Sequence, residues 1–87
     1  MGEAATVTVE VRVELKPGIL DAEALSVGKS LALLGIDNLS AVSIARQYRL
    51  IFTGISESEA LSRAQRAVDR LLANPVVHRV AIQPVPA

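Results

Sequence analysis

Side chains that could carry out acid–base, nucleophilic or metal chemistry are few in this chain and scattered through it. His78 is the only histidine, and cysteine is absent. Without a thiol, disulfides, thiolate metal sites and cysteine nucleophiles are all excluded. A lone imidazole at a strand start offers neither a Ser-His-Asp arrangement nor the ligand cluster that zinc requires. No G-x-S-x-G, Walker loop or G-x-G-x-x-G occurs anywhere in the sequence. The loop around Lys16-Pro17-Gly18 also lacks the arginine-bearing cradle that would hold a phosphate. Catalysis by this chain alone is therefore not expected, and no catalytic, cofactor-binding or metal-binding residue is assigned.

What remains is surface that could meet a partner. A turn followed by a helix cap accounts for Pro17, Gly18 and Asp21, but not for Lys16, nor for Ile19 and Leu20 standing together in a loop. Arg46 interrupts an otherwise apolar face in the middle of the chain. Asn74-Pro75 forms a corner where a helix must stop. These positions (Lys16, Pro17, Gly18, Leu20, Asp21, Arg46, Asn74 and Pro75) are the candidate docking residues. Arg63, Arg66 and Arg70 make a basic stripe at helical spacing. Pairing with Glu59 and Asp69 on a solvated face explains much of that stripe, and docking against an acidic partner is the other reading.

Nine basic and nine acidic side chains leave no formal net charge. A nucleic-acid binder draws its affinity from a basic excess, so nucleic acid is not an expected partner. No stretch is apolar enough to span a bilayer, and Met1 to Thr6 lacks the basic and apolar regions of a signal peptide. Gly2 and Thr6 fit a myristoylation pattern formally, but acidic Glu3 speaks against it. A cytoplasmic protein with no membrane contact is the expectation.

The positioning elements are legible from periodicity. Val7, Val9, Val11, Val13 and Leu15 alternate with polar residues, which predicts a half-buried strand over 6–15. Asp21 reads as an N-cap. The helix behind it carries Ala24, Val27, Gly28, Leu31 and Leu34 on one stripe, with Gly28 suggesting close approach to a sheet, and Gly35 ends it. From Leu39 to Thr53 alternation returns, with Val42, Ile44, Tyr48, Leu50 and Phe52 on one face. Either one long strand or a hairpin turning at Ala45-Arg46-Gln47 fits, the hairpin pairing Ile44 with Tyr48 and Val42 with Leu50. Ser56-Glu57-Ser58-Glu59 is a capping box, opening a helix with Ala60, Leu61, Ala64, Ala67, Val68, Leu71 and Leu72 buried. Asn74 is placed to end it in the left-handed conformation, and Val76 to Gln83 reads as the last strand.

The expected fold is α+β: a β-α-β(β)-α-β antiparallel sheet with two helices on one face, ferredoxin-like, in a single domain with an ordered core at about 6–83. Half of the residues are hydrophobic but Tyr48 and Phe52 are the whole aromatic set, so the core is aliphatic. So much apolar surface on so short a chain favours self-association.

The wording of Leu15-Lys16-Pro17-Gly18, Leu20-Asp21, Leu34-Gly35 and Leu71 to Val77, in this order and spacing, resembles the PurS family. That family is the small non-catalytic subunit of formylglycinamidine ribonucleotide (FGAM) synthase in purine biosynthesis. The resemblance implies a homodimer or homotetramer that bridges a glutaminase subunit and a synthetase subunit and supports ammonia transfer between them. It implies no cofactor in this chain, with ATP and Mg²⁺ expected in the partner synthetase subunit. The family often has Gly-Lys in the middle turn, where this chain has Ala45-Arg46. The alternative is an ACT-like regulatory module binding an amino acid, which Pro17-Gly18-Ile19-Leu20 also imitates.

Overall fold

The first strand, β1 (Thr6–Leu15), is the middle of the sheet, and among the described strands it alone has buried positions, at Val9, Val11 and Val13. In the computed structural model, which describes residues 5–86, Val9 and Val11 are wholly buried and Val13 nearly so. Of the stretch Met1 to Thr6 read above for targeting signals, Met1 to Ala4 lie outside the described residues. Strand β2 (Ala45–Thr53) pairs antiparallel along one side of β1, setting Val9 opposite Leu50 and Val11 opposite Tyr48. Strand β3 (His78–Pro84) pairs antiparallel along the other side, with Val11 opposite Ile82 and Val13 opposite Val80. The order is therefore β2-β1-β3. Residues directly opposite share a face, so the apolar positions of all three strands converge on one side.

Helix α2 (Glu57–Ala67) covers that side. Ala60, Ala64 and Val68 are buried against Val9, Val11 and Val13, with Tyr48, Leu50, Phe52, Val80 and Ile82 around them. Small alanines let the helix approach a valine surface closely, which suits a core without large aromatics. The predicted capping box is formed: the Ser56 hydroxyl accepts from the Glu59 amide at 3.2 Å and the Glu59 carboxylate accepts from the Ser56 amide. The opposite sheet face is polar. Arg79 donates twice to Glu14, at 3.0 and 3.1 Å, and Arg49 stands 3.9 Å from Glu10.

Three local expectations differ from what is observed. Helix α2 runs on into a π-helical turn, Val68–Leu72, whose wider winding turns Leu72 inward and leaves Leu71 83% exposed. Asn74 does not take a left-handed conformation; among the described non-glycine residues only Asn38 has positive φ, at 63°. The last strand begins at His78 rather than Val76, because Asn74 takes the intervening amides. Its side-chain oxygen accepts from Val76, and its carbonyl accepts from Val77 and His78.

Helix α1 (Ala22–Leu33) is built as expected at its ends. The Asp21 carboxylate accepts from the Ala24 amide at 3.0 Å, and Gly35 takes φ +82° with Ile36 bonding back to Leu31. Its place is different from the one Gly28 suggested. Gly28 approaches not the sheet but Val42 in the following segment, whose Cγ2 lies 3.7 Å from where a glycine-28 Cβ would sit. Residues 40–44 lead into β2 with no hairpin at Ala45-Arg46-Gln47; β2 is a single strand running from Ala45. The antiparallel α+β class stands, and within one chain α2 alone covers the sheet while α1 extends beyond its end.

Candidate docking site

Sheet topology draws most of the candidate residues to one end of the molecule. Strand β1 leaves the sheet there at Leu15, while β2 and β3 enter it at Ala45 and His78. Three loops far apart in sequence are therefore neighbours: 16–21, the approach to Arg46, and the Asn74-Pro75 corner.

The first loop is tied to the third through backbone. The Lys16 amide donates to the Val77 carbonyl at 2.8 Å, and the Ile19 amide closes a turn onto the Lys16 carbonyl at 3.2 Å. That turn needs Gly18, whose φ is +88°. It leaves Lys16, Pro17 and Gly18 exposed, and Leu20 75% exposed on solvent. Asp21, half-buried, is spent on the cap of α1.

The corner is locked by the single histidine. His78 Nδ1 accepts from the Asn74 amide at 2.8 Å while its own amide donates to the Asn74 carbonyl at 2.8 Å. An Nδ1 that accepts puts the proton of a neutral imidazole on Nε2. Lys16, Pro75 and His78 line one open cavity of about 550 Å³, together with Gln65, Asp69 and Val80. Asp21 and Arg46 face a second, smaller hollow that also meets Tyr48 and His78. Of the eight candidates only Leu20 and Asn74 line neither of these nor the hollow formed by the 16–19 turn with Val42 and Ile44.

Sequence reasoning missed His78 as the residue that sets the corner. The signal was present, since a histidine four residues after Asn74 can bond back across the turn. Pairing of the arginine stripe with Glu59 is not observed. The Glu59 carboxylate belongs to the capping box, and Arg63, Arg66 and Arg70 form no ion pair among the described residues. Among those residues no group of three or more His, Cys, Asp or Glu stands together to hold a metal ion, and no helix is long and apolar enough to cross a membrane.

Exposed turns, a locked corner and shallow hollows mark one end of this small α+β protein as its candidate docking surface. A family model described as phosphoribosylformylglycinamidine (FGAM) synthase, PurS, matches residues 8–86. The PurS subunit of that synthase from Archaeoglobus fulgidus is 34% identical over 73 residues, covering 84% of this chain and 91% of that protein. The crystal structure of Methanocaldococcus jannaschii PurS superposes with a TM-score of 0.80 at 25% identity, over 93% of this chain and 98% of the other. A chain in the PurLQS structure from Thermotoga maritima shares the fold, with a TM-score of 0.82 at 15% identity over 93% and 99% of the two chains. The chain belongs to the PurS family, the PurS subunit of FGAM synthase in purine biosynthesis. The regulatory-module alternative is thereby set aside.

Proposed function

We propose that this chain is the non-catalytic structural subunit of an FGAM synthase complex, self-associating as a homodimer or homotetramer and bridging the glutaminase and synthetase subunits. Its task is to hold the two catalytic subunits so that ammonia released by one reaches the other without loss to water. ATP and Mg²⁺ act in the synthetase subunit, and this chain carries neither.

The observation that carries this reading is the convergence of Lys16, Pro17, Gly18, Asp21, Arg46 and Pro75 on one end of the molecule, with Asn74 tied to the same end through His78, in a chain of this family. Backbone hydrogen bonds hold the end rigid, so docking there costs little ordering entropy. Cationic Lys16 and Arg46 can select acidic surface on a catalytic subunit. The test is a tagged pull-down with purified glutaminase and synthetase subunits, in glutamine, Mg²⁺ and ADP. Both subunits are expected in the eluate with the unaltered chain. Lys16→Glu and Arg46→Glu should each reduce that recovery while leaving the unfolding transition unchanged. Full recovery with both variants removes the docking assignment.

A further inference from the structure

Strand β3 is an edge of the sheet, and its free backbone groups are a defined set. In an antiparallel ladder, residues that exchange hydrogen bonds with the neighbour alternate with residues whose N–H and C=O point away from it. The Val85 amide donates to the Thr8 carbonyl at 2.9 Å, and the Lys16 amide donates to the Val77 carbonyl at 2.8 Å. These bonds fix the phase of the β1–β3 register at both ends, so Arg79, Ala81 and Gln83 turn their backbone groups toward β1. His78, Val80, Ile82 and Pro84 turn theirs to the open side. The His78 amide is already taken by the Asn74 carbonyl at 2.8 Å, and Pro84 has no amide hydrogen. The Val80 and Ile82 amides are left between two blocked ends, as a short row that a further strand can use.

The same edge borders the open cavity of about 550 Å³ between β3 and the end of α2. Val80 and Ile82 are half-buried and form its strand wall, with Val68 and Ala73 across from them. Residues directly opposite on a pairing strand share a face. Side chains set opposite Val80 and Ile82 therefore enter this cavity, while one set opposite Ala81 joins the polar face. Lys16 lines the cavity together with His78, and it forms no ion pair among the described residues. Asp69, also in the lining, accepts from the Gln65 side chain at 2.9 Å. The His78 end of the cavity thus offers a cation to an incoming carboxylate.

We propose that the open edge of β3 receives an extended segment of one of the catalytic subunits, running antiparallel to β3. The segment sets apolar side chains opposite Ile82 and Val80, a polar one opposite Ala81, and an acidic one opposite His78, beside Lys16. Val80 and Ile82 each exchange both backbone hydrogen bonds with it, as outward-facing residues of an antiparallel pair do. Backbone bonds supply affinity and the alternate side chains supply selectivity, which is how an edge strand recognises a peptide. A second copy of β3 fits this edge less well. Antiparallel self-pairing centred on Ala81 sets Pro84 opposite His78 and so brings no acid to Lys16. The proposal rests on the synthase-subunit reading above, and adds which edge a partner uses and what its segment carries.

Amide hydrogen exchange, read residue by residue on the unaltered chain, tests this. In the chain alone, Val80 and Ile82 are expected to exchange rapidly and Arg79, Ala81 and Gln83 slowly, since only the latter are bonded to β1. With purified glutaminase and synthetase subunits in glutamine, Mg²⁺ and ADP, exchange at Val80 and Ile82 is expected to slow about tenfold or more. Lys16→Gln should shrink that gain while leaving exchange in the chain alone unchanged, and an equal gain in the variant would overturn the acidic contact. Co-sedimentation with the subunits and no slowing at either residue would overturn the edge site and leave the bridging role standing. Slowing that grows with the chain's own concentration, without the subunits, would overturn it in favour of a second copy. Failure to co-sediment would remove the reading on which the proposal rests, and the proposal with it.

Discussion

The two helices of this chain answer the same sequence logic with opposite results. Helix α2 has a polar outer face of Glu57, Glu59, Arg63, Gln65 and Arg66, and its apolar stripe is spent on its own sheet. Helix α1 has few charged residues, Glu23 and Lys29, and only Ala24 within it is buried. A helix with one narrow apolar stripe can be satisfied by one neighbour. A helix apolar around most of its girth calls for cover from several sides, and within one copy Leu25, Leu33 and Leu34 stay exposed. The difference separates what a single copy needs to fold from what it needs to assemble.

Charge placed on each helix breaks that comparison most sharply. Ala64→Asp puts an unpaired carboxylate into the wholly buried centre of α2, and loss of cooperative unfolding of the chain is the expected result by circular dichroism. Val27→Asp on α1, a residue already 38% exposed, should leave helical content intact yet weaken self-association by about a hundredfold or more, as read by sedimentation equilibrium. Equal damage from both would erase the distinction between a folding helix and an assembling one. A smaller effect sharpens the α2 side. Ser56→Ala removes the capping-box hydroxyl and is expected to cost about 1 kcal/mol in denaturant unfolding, with self-association unchanged. Smallest of all, Arg79→Gln removes an exposed pair with Glu14 on the polar face and should change stability by less than about 1 kcal/mol.

Legibility in the sequence divides along the same line. The alternation of Val7 to Leu15 described β1 fully, and Ser56 with Glu59 marked the capping box, because strand period and caps are local properties. Both helices and all three strands were visible, as was the α+β class. What a stripe packs against is not local. Ala24, Val27, Gly28, Leu31 and Leu34 read as a sheet-facing set, yet in one chain Gly28 meets Val42. Periodicity specifies that a face is to be covered and cannot name what covers it. Leu71 was misplaced because a π-helical turn changes the winding at the end of α2. Val76 and Val77 were misplaced because the Asn74 oxygens capture amides that β propensity alone would assign to a strand.

The candidate docking residues were legible as separate turns and caps, each over-specified for its local job. That they share one end of the molecule followed only from the sheet order, which sets the end of β1 beside the starts of β2 and β3. The lock formed by His78 on Asn74 ties that end together.

The most direct measurement is glutamine-supported FGAM synthesis by purified glutaminase and synthetase subunits, with and without this chain. Omission is expected to reduce the glutamine-supported rate to background, while synthesis fed by free ammonia continues in the synthetase subunit. Undiminished glutamine-supported synthesis in its absence would contradict the account, since a bridge that can be left out is not the bridge.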